Sequence, residues 1–185
     1  MELDKAIQTR HSVRKFSNKK PDWRTIIECI DSARYAPMAG GCYTLRFIMV
    51  DDEEKIEKIA EASQQEHVGK VKFIVVACSN TSLTCNEFGK ESGEVYSRQQ
   101  AGAAIENFLL KITEAGLATS WVGYFVEDQV KRILKIPKEW NVEAIFPIGY
   151  EFQKPRTKKA KIDLDRILYF NFYDNKKMKR PKFVA

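Results

Sequence analysis

An α+β or α/β domain is what this sequence predicts, on three observations. Helix-like and strand-like stretches alternate along it, long irregular loops join several of them, and neither an internal repeat nor a Gly/Ser linker divides its 185 residues. A hydrophobic share of 44% over that length suffices for one core. A single domain is therefore expected over residues 1–185, with a basic tail from about residue 174.

The elements follow in order. A first short helix should end near "QTRHSVRKF", residues 8–16. Asp22 is placed to cap a helix in which Trp23, Ile26, Ile27, Ile30 and Ala33 recur at helical spacing and which Pro37 ends. Residues 36–43, with Pro37, Gly40 and Gly41, read as a loop. Leu45 to Val50 reads as a strand, and Glu53 to Ala62 as an amphipathic helix buried through Ile56, Ile59 and Ala60. Lys72 to Ala77 is a second strand, apolar enough to be central. Residues 79–97 are polar without a clear period and read as a surface excursion holding at most a short helix, a candidate lid. Ala101, Ala104, Ile105, Phe108, Leu109 and Ile112 mark one broad stripe of a core helix that Gly116 stops. Thr119 to Phe125 reads as a strand, Asp128 to Lys135 as a short helix closed by Pro137, and Val142 to Tyr150 as a strand. Ile167 to Phe172 is a candidate last strand.

Composition removes several function classes. The longest apolar run, Phe73 to Cys78, falls far short of the roughly 20 residues a membrane helix needs, and the charged start MELDK is unlike a signal peptide. A cytoplasmic protein with no membrane partner is expected. Cys29, Cys42, Cys78 and Cys85 form no C-x-x-C and pair with no closely spaced histidines, so they read as reduced thiols rather than metal ligands. Neither G-x-G-x-x-G nor G-x-x-x-x-G-K-[ST] occurs, which removes a Rossmann dinucleotide site and a nucleoside triphosphate loop. Of the two histidines, His67 in "QQEHVGK" reads as a surface residue rather than a proton donor.

The net charge of +6 is uneven, because residues 154–185 carry 11 Lys or Arg against 3 Asp while the rest carries 20 cations against 22 carboxylates. Such a segment suits phosphates or simply solvent.

Four motifs carry chemistry. Arg10 and Arg14 flank Ser12 at a helix exit, where guanidinium forks and a hydroxyl can cradle a phosphate, or where the cations merely complement the helix dipole. Lys154 and Arg156, stiffened by Pro155 after "FPIGYE", form a second cationic pair. In "APMAGGCYTLRFIMV", residues 36–50, small residues after Pro37 let backbone approach a flat ligand; the same stretch is also an ordinary helix-to-strand turn. "EAGLATSWVGYF", residues 114–125, joins a helix to a strand amid small residues that can offer backbone N–H groups to a planar ring.

Taken in order, R-x-S-x-R, A-P-x-x-G, A-G-x-x-x-[QE]-N, G-L-x-[TS]-x-W-x-G and G-Y before K-x-R, this chain resembles the FMN-dependent nitroreductase family from Lys5 to about Asn171. The resemblance implies an α+β three-layer fold: a central, mostly antiparallel sheet flanked by helices, with the C-terminal segment exchanged or packed across a homodimer. It implies that Arg10, His11, Ser12 and Arg14 contact FMN, with Arg10, Lys154 and Arg156 at the phosphate and Arg14 nearer the pyrimidine edge. The loop Pro37, Met38, Ala39, Gly40 and Gly41 would reach the flavin of the opposite subunit, Trp121, Val122 and Gly123 would border the ring, and "ILYFNFY" would wrap the partner.

Two departures stand out. Where the family usually reads P-S-x-x-N-x-Q-P-W, this chain runs from Pro37 to Leu45 with Gly41 in place of the asparagine, leaving only a backbone N–H to offer. Tyr124 stands where glycine is frequent, on the face where hydride would arrive.

The implied activity is ping-pong hydride transfer from NADH or NADPH through FMN to an electron-poor small molecule such as a nitroaromatic or quinone. An alternative of the same fold binds or remodels flavin without turnover. A nucleic-acid-binding module using the basic segment from Lys154 is the alternative from another class, and it lacks the interleaved aromatics that RNA-binding sheets carry.

Overall fold

The computed structural model describes residues 2–153 and 162–178. The chain divides into two compact units, Met1–Lys154 and Pro155–Ala185.

The helices of the first unit are α1 (Leu3–Thr9), α2 (Trp23–Asp31), α3 (Glu53–Ser63), α4 (Ser82–Phe88), α5 (Lys90–Glu114) and α6 (Glu127–Leu134). Its strands are β1 (Leu45–Val50), β2 (Phe73–Ser79), β3 (Ala118–Thr119) and β4 (Asn141–Gly149). They form one sheet in the order β1-β2-β4-β3, with every neighbouring pair antiparallel. An antiparallel sheet among helices makes the class α+β.

Alternation of side chains along the central strands divides the core in two. Phe73, Val75 and Ala77 join Ala144, Phe146 and Ile148 against α2 and α5, where Ile26, Ile105 and Phe108 are buried. Ile74, Val76 and Cys78 join Val142 and Ile145 on the opposite face, against Ile56 and Ile59 of α3 and Val130 of α6. Both faces of β2 are covered, which is why it reads as one unbroken apolar run. Three layers result, as the resemblance implied.

Caps fix several boundaries. Asp22 accepts the Arg24 N–H at 2.9 Å and Asp52 accepts the Lys55 N–H at 3.0 Å. Gly116, at φ +72°, follows α5. A 3-10 turn, Ala39–Gly41, lies inside the expected loop. Cys29 and Cys78 are buried and Cys42 and Cys85 half-buried, all four unpaired; burial pushes the Cys29 and Cys78 thiols up to about 12.

Three expectations need correction. Residues 79–97 hold the end of β2, the short helix α4 that the sequence allowed for, and the first two turns of α5, where an aperiodic excursion was expected. The buried positions of the helical part are Thr84, Gly93 and Ser97, which carry no hydrophobic period. A Cβ on Gly93 would lie 2.5 Å from the backbone of Cys85, so glycine is what lets the two helices meet.

Thr119 to Phe125 is not a continuous strand. Ala118 faces Gly149, Thr119 faces Ile148 and Val122 faces Ile145, so Ser120 stands opposite Pro147. Val122 and Ile145 exchange both backbone bonds at 3.0 Å. Two residues on, Pro147 turns the same edge toward β3 but has no N–H to give, and the ladder opens at Ser120.

Ile167 to Phe172 is not a strand either. In the second unit a 3-10 turn, Leu164–Arg166, precedes a closed turn in which the Phe170 N–H donates to the Asn175 carbonyl at 2.7 Å. Asn171 and Asp174, at φ 65° and 66°, fold the segment back on itself. Ile167, Phe172 and Tyr173 remain exposed. Among the described residues no helix is long and apolar enough to cross a membrane, and no group of side chains is arranged to hold a metal ion.

Candidate functional site

The chain leaves α1 in extended form and runs beside β3 and the continuation of β4. The Val13 N–H donates to the Thr119 carbonyl at 2.9 Å, the Ser17 N–H to Tyr150 at 2.8 Å, and the Phe152 N–H to Lys15 at 3.0 Å. Val13 is buried, so the strand-like alternation turns Ser12 and Arg14 outward on either side of it. Both are exposed and available to a ligand.

Arg10 and His11 are already engaged. The Arg10 N–H donates to Ala6 at 2.9 Å and closes α1, and its guanidinium Nε lies 3.0 Å from Glu106 Oε1 on α5. His11 Nδ1 lies 2.8 Å from the Thr9 carbonyl and Nε2 lies 2.9 Å from Glu151 Oε1. A neutral imidazole has one N–H, so only the protonated ring can donate to both oxygens. Burial works against that charge, but the Glu151 hydrogen bond, the Thr9 carbonyl and the Glu151 charge outweigh it, and the His11 pKa is raised.

The second wall begins where the ladder opens. Trp121 packs edge-on against Phe146 with ring centroids 5.8 Å apart, and Phe146 in turn against Phe108 at 5.4 Å, which fixes the indole although 44% of it is exposed. Val122 is buried in the sheet, whereas Gly123 and Tyr124 are exposed. A Cβ on Gly123 would meet nothing nearer than Trp121 Nε1 at 3.8 Å, so backbone is open to a flat ligand there. The Thr119 hydroxyl is buried and without a hydrogen-bond partner at the junction of the two walls.

A third segment adjoins them. His67 sits on the 3-10 turn Glu66–Lys70 with Nε2 3.1 Å from Ser120 Oγ. It is half-buried, so its reading as a surface residue is corrected. Burial lowers its pKa and the nearby Arg14 charge lowers it further. The two histidines of the chain are thus shifted in opposite directions.

Pro37 to Gly41 lies elsewhere. A Cβ on Gly40 would be 2.8 Å from the Phe88 ring, which meets the Tyr96 ring at 5.2 Å. Ten residues of α5, about 15 Å of helix, separate Tyr96 from the Glu106 that holds Arg10. Within one chain the loop and the Arg10–Arg14 cluster occupy separate stations along α5. Gly41, at φ +72°, has open space where a Cβ would stand. Lys154 and Arg156 lie outside the described residues.

Reading the sequence missed Glu106, Glu151 and the His67–Ser120 pair. Two of them had a signal: Glu106 occupies the [QE] of A-G-x-x-x-[QE]-N, and Glu151 directly follows G-Y. His67 had none, since its partner is 53 residues away.

Comparison with known proteins follows this geometry. A family model described as "Nitroreductase family" matches residues 7–68 and 63–150. A relative from Methanothermobacter thermautotrophicus, named "Putative NADH dehydrogenase/NAD(P)H nitroreductase", is 30% identical over 172 residues, covering 90% of this chain and 86% of its own. The crystal structure of a nitroreductase family protein from Clostridium novyi NT superposes with a TM-score of 0.76 at 29% identity, over 95% of this chain and 96% of that one. An FMN-dependent nitroreductase from Clostridium difficile R20291 shares the fold, with a TM-score of 0.74 at 22% identity over 91% of this chain and 98% of that one.

Proposed function

The chain belongs to the nitroreductase family, and on that premise we propose that it is an FMN-dependent oxidoreductase that takes hydride from NADH or NADPH and delivers it to an electron-poor small molecule. The observation that carries this reading is the Val13–Thr119 hydrogen bond, which ties the segment bearing the outward-facing Ser12 and Arg14 to the strand that leads to the exposed Trp121 and Gly123.

The residues fit FMN by the chemistry of their donors. Ser12 and Arg14 are exposed, Arg10 is within reach once Glu106 yields it, and the unpartnered Thr119 hydroxyl lies at the junction. Arg10 would meet the phosphate, joined by Lys154 and Arg156, and His11 would brace that end through Glu151. Arg14 would lie at the pyrimidine edge, where a fixed cation favours the more negative, reduced ring. When bound, the flavin supplies hydride acceptance and donation. The chain supplies orientation and charge: Trp121, held on Phe146, and the Val122–Gly123 backbone border the ring, and the exposed Tyr124 phenol shapes the face a substrate approaches.

A homodimer completes the site. The separation of Pro37–Gly41 from the Arg10 cluster along α5 supports a loop that serves the partner's flavin, with Gly41 leaving open space where the family's asparagine side chain would stand. The exposed Ile167, Phe172 and Tyr173 suit a segment that packs on the partner. The test is to load purified protein with FMN, desalt it, and add NADH or NADPH without oxygen. About one FMN retained per chain, with flavin absorbance bleached by a nicotinamide and restored by a quinone or nitroaromatic, is expected. Retention without bleaching would leave a flavin carrier, and no retention would remove the cofactor from the reading.

A further inference from the structure

Three separate segments meet around the dipeptide Thr119–Ser120. The Val13 N–H donates to the Thr119 carbonyl at 2.9 Å, His67 Nε2 lies 3.1 Å from Ser120 Oγ, and the Val126 N–H donates to the Ala62 carbonyl at 2.8 Å, tying the 120s loop to the end of α3. Two of these segments carry the proposed cofactor contacts. The third, with His67, has been given no role.

We propose that His67 sets the charge at the Arg14 end of the site: neutral, it holds Ser120 through one ring nitrogen, and protonated, it adds a second cation beside Arg14 that favours the reduced, anionic flavin ring over the oxidised, neutral one. The inference rests on the FMN reading. It needs His67 in particular because Pro147 leaves the Ser120 carbonyl without a ladder donor, and the imidazole adds a side-chain bond to the same residue through its hydroxyl. Ser120 is only 4% exposed and His67 is half-buried, so a proton on His67 is screened only in part by water.

The groups around His67 allow a change of charge to register. The extended segment contributes Arg14 and the exposed Lys15, while Arg10 is engaged with Glu106 and His11 with Glu151. Glu66 and Lys70 lie on its own turn. From α3, Glu57 and Glu61 line an open cleft together with Glu66 and Lys70. β4 carries only Glu143, which accepts from Ser79. Burial and Arg14 both oppose a proton on the ring, so His67 is neutral at neutral pH and charges on acidification. A reduced, anionic flavin ring at Arg14 reverses that opposition: by linkage, whatever the reduced ring adds to the proton affinity of His67, the proton returns to the stability of the reduced ring.

The experiment has two readouts. NMR titration of the two histidines in the cofactor-free protein, assigned with His11→Gln and His67→Gln, should give a His67 midpoint below about 6.5 that rises in Arg14→Gln while His11 stays where it was. A His67 midpoint indifferent to Arg14 overturns the proposal whatever the cofactor. The preference for reduced over oxidised FMN, read from the reduction potential of the bound flavin between about pH 8 and about pH 5.5, should rise in wild type relative to His67→Gln by roughly threefold to tenfold as pH falls. The ratio cancels titration of the ligand's own phosphate. A constant ratio overturns the proposal, and so does a pH effect kept in His67→Gln but lost in His67→Ala, because it would belong to the Ser120 hydrogen bond. Failure of every protein to bind FMN at any pH overturns the cofactor reading and with it the ligand half of this inference, while an Arg14-dependent His67 midpoint would still stand.

Discussion

Arg10 cannot serve a phosphate and Glu106 equally. Their 3.0 Å contact has a carboxylate occupying the guanidinium that the proposed ligand needs, on side chains 26% and 45% exposed. An exposed pair of this kind contributes well under about 1 kcal/mol, so Glu106→Gln should cost little stability and tighten FMN by roughly twofold to fivefold in fluorescence titration. Unchanged or weaker binding would mean that Glu106 orients Arg10 rather than competes for it. His11 offers a pH test. Its folded pKa is raised, so its contribution to stability is fully present below the unfolded value of about 6.5 and is lost as pH rises through the folded value. In Glu151→Gln that loss should be blunted, and the gap in denaturant midpoint between wild type and variant should be wider at pH 6 than at pH 9. At this scale the sequence was legible where chemistry is local. Arg10, Ser12 and Arg14 stand within five residues and their exposure follows from alternation about Val13, whereas Glu151 reaches His11 across 140 residues and left no periodic trace.

The pairing of α4 with α5 depends on Gly93. A methyl group there would lie 2.5 Å from the Cys85 Cα and backbone N, atoms that cannot swing aside. Gly93→Ala should therefore destabilise by roughly 1–3 kcal/mol in thermal or urea unfolding, despite alanine's better helix propensity. A neutral or stabilising result would show that α4 moves away without penalty. The two helices also mark the limit of hydrophobic patterning. Core strands and the Ala101–Ile112 stripe were readable because large apolar side chains recur there, while the α4–α5 contact buries Thr84, Gly93 and Ser97 and resembles a polar loop. Pro147 misled in the opposite direction. It lies in a strand readable from its flanking apolar residues, yet its missing N–H shortens β3, an effect visible only once the register puts it opposite Ser120.

For the molecule as a whole, the proposed dimer makes a definite demand on mass. Leu3 and Ile7 of α1, Leu83 and Phe88 of α4, and Val95 and Tyr96 of α5 are exposed in the single chain and offer apolar positions for a second subunit to cover. Sedimentation should give about twice the chain mass of 21.4 kDa at micromolar concentration. A monomer that still retains FMN would move the whole site into one chain and remove the role of Pro37 to Gly41. The sheet imposes a demand of its own, on synthesis. β2 lies between β1 and β4, and Phe73 pairs with Ile148, so a strand apolar on both faces emerges from the ribosome well before its second neighbour exists. The interval from Ser79 to Asn141 spans 62 residues, roughly 3–12 s of translation. During that time β2 has β1 along one edge and nothing along the other, so the nascent chain has every reason to need a chaperone before it has any need of a cofactor.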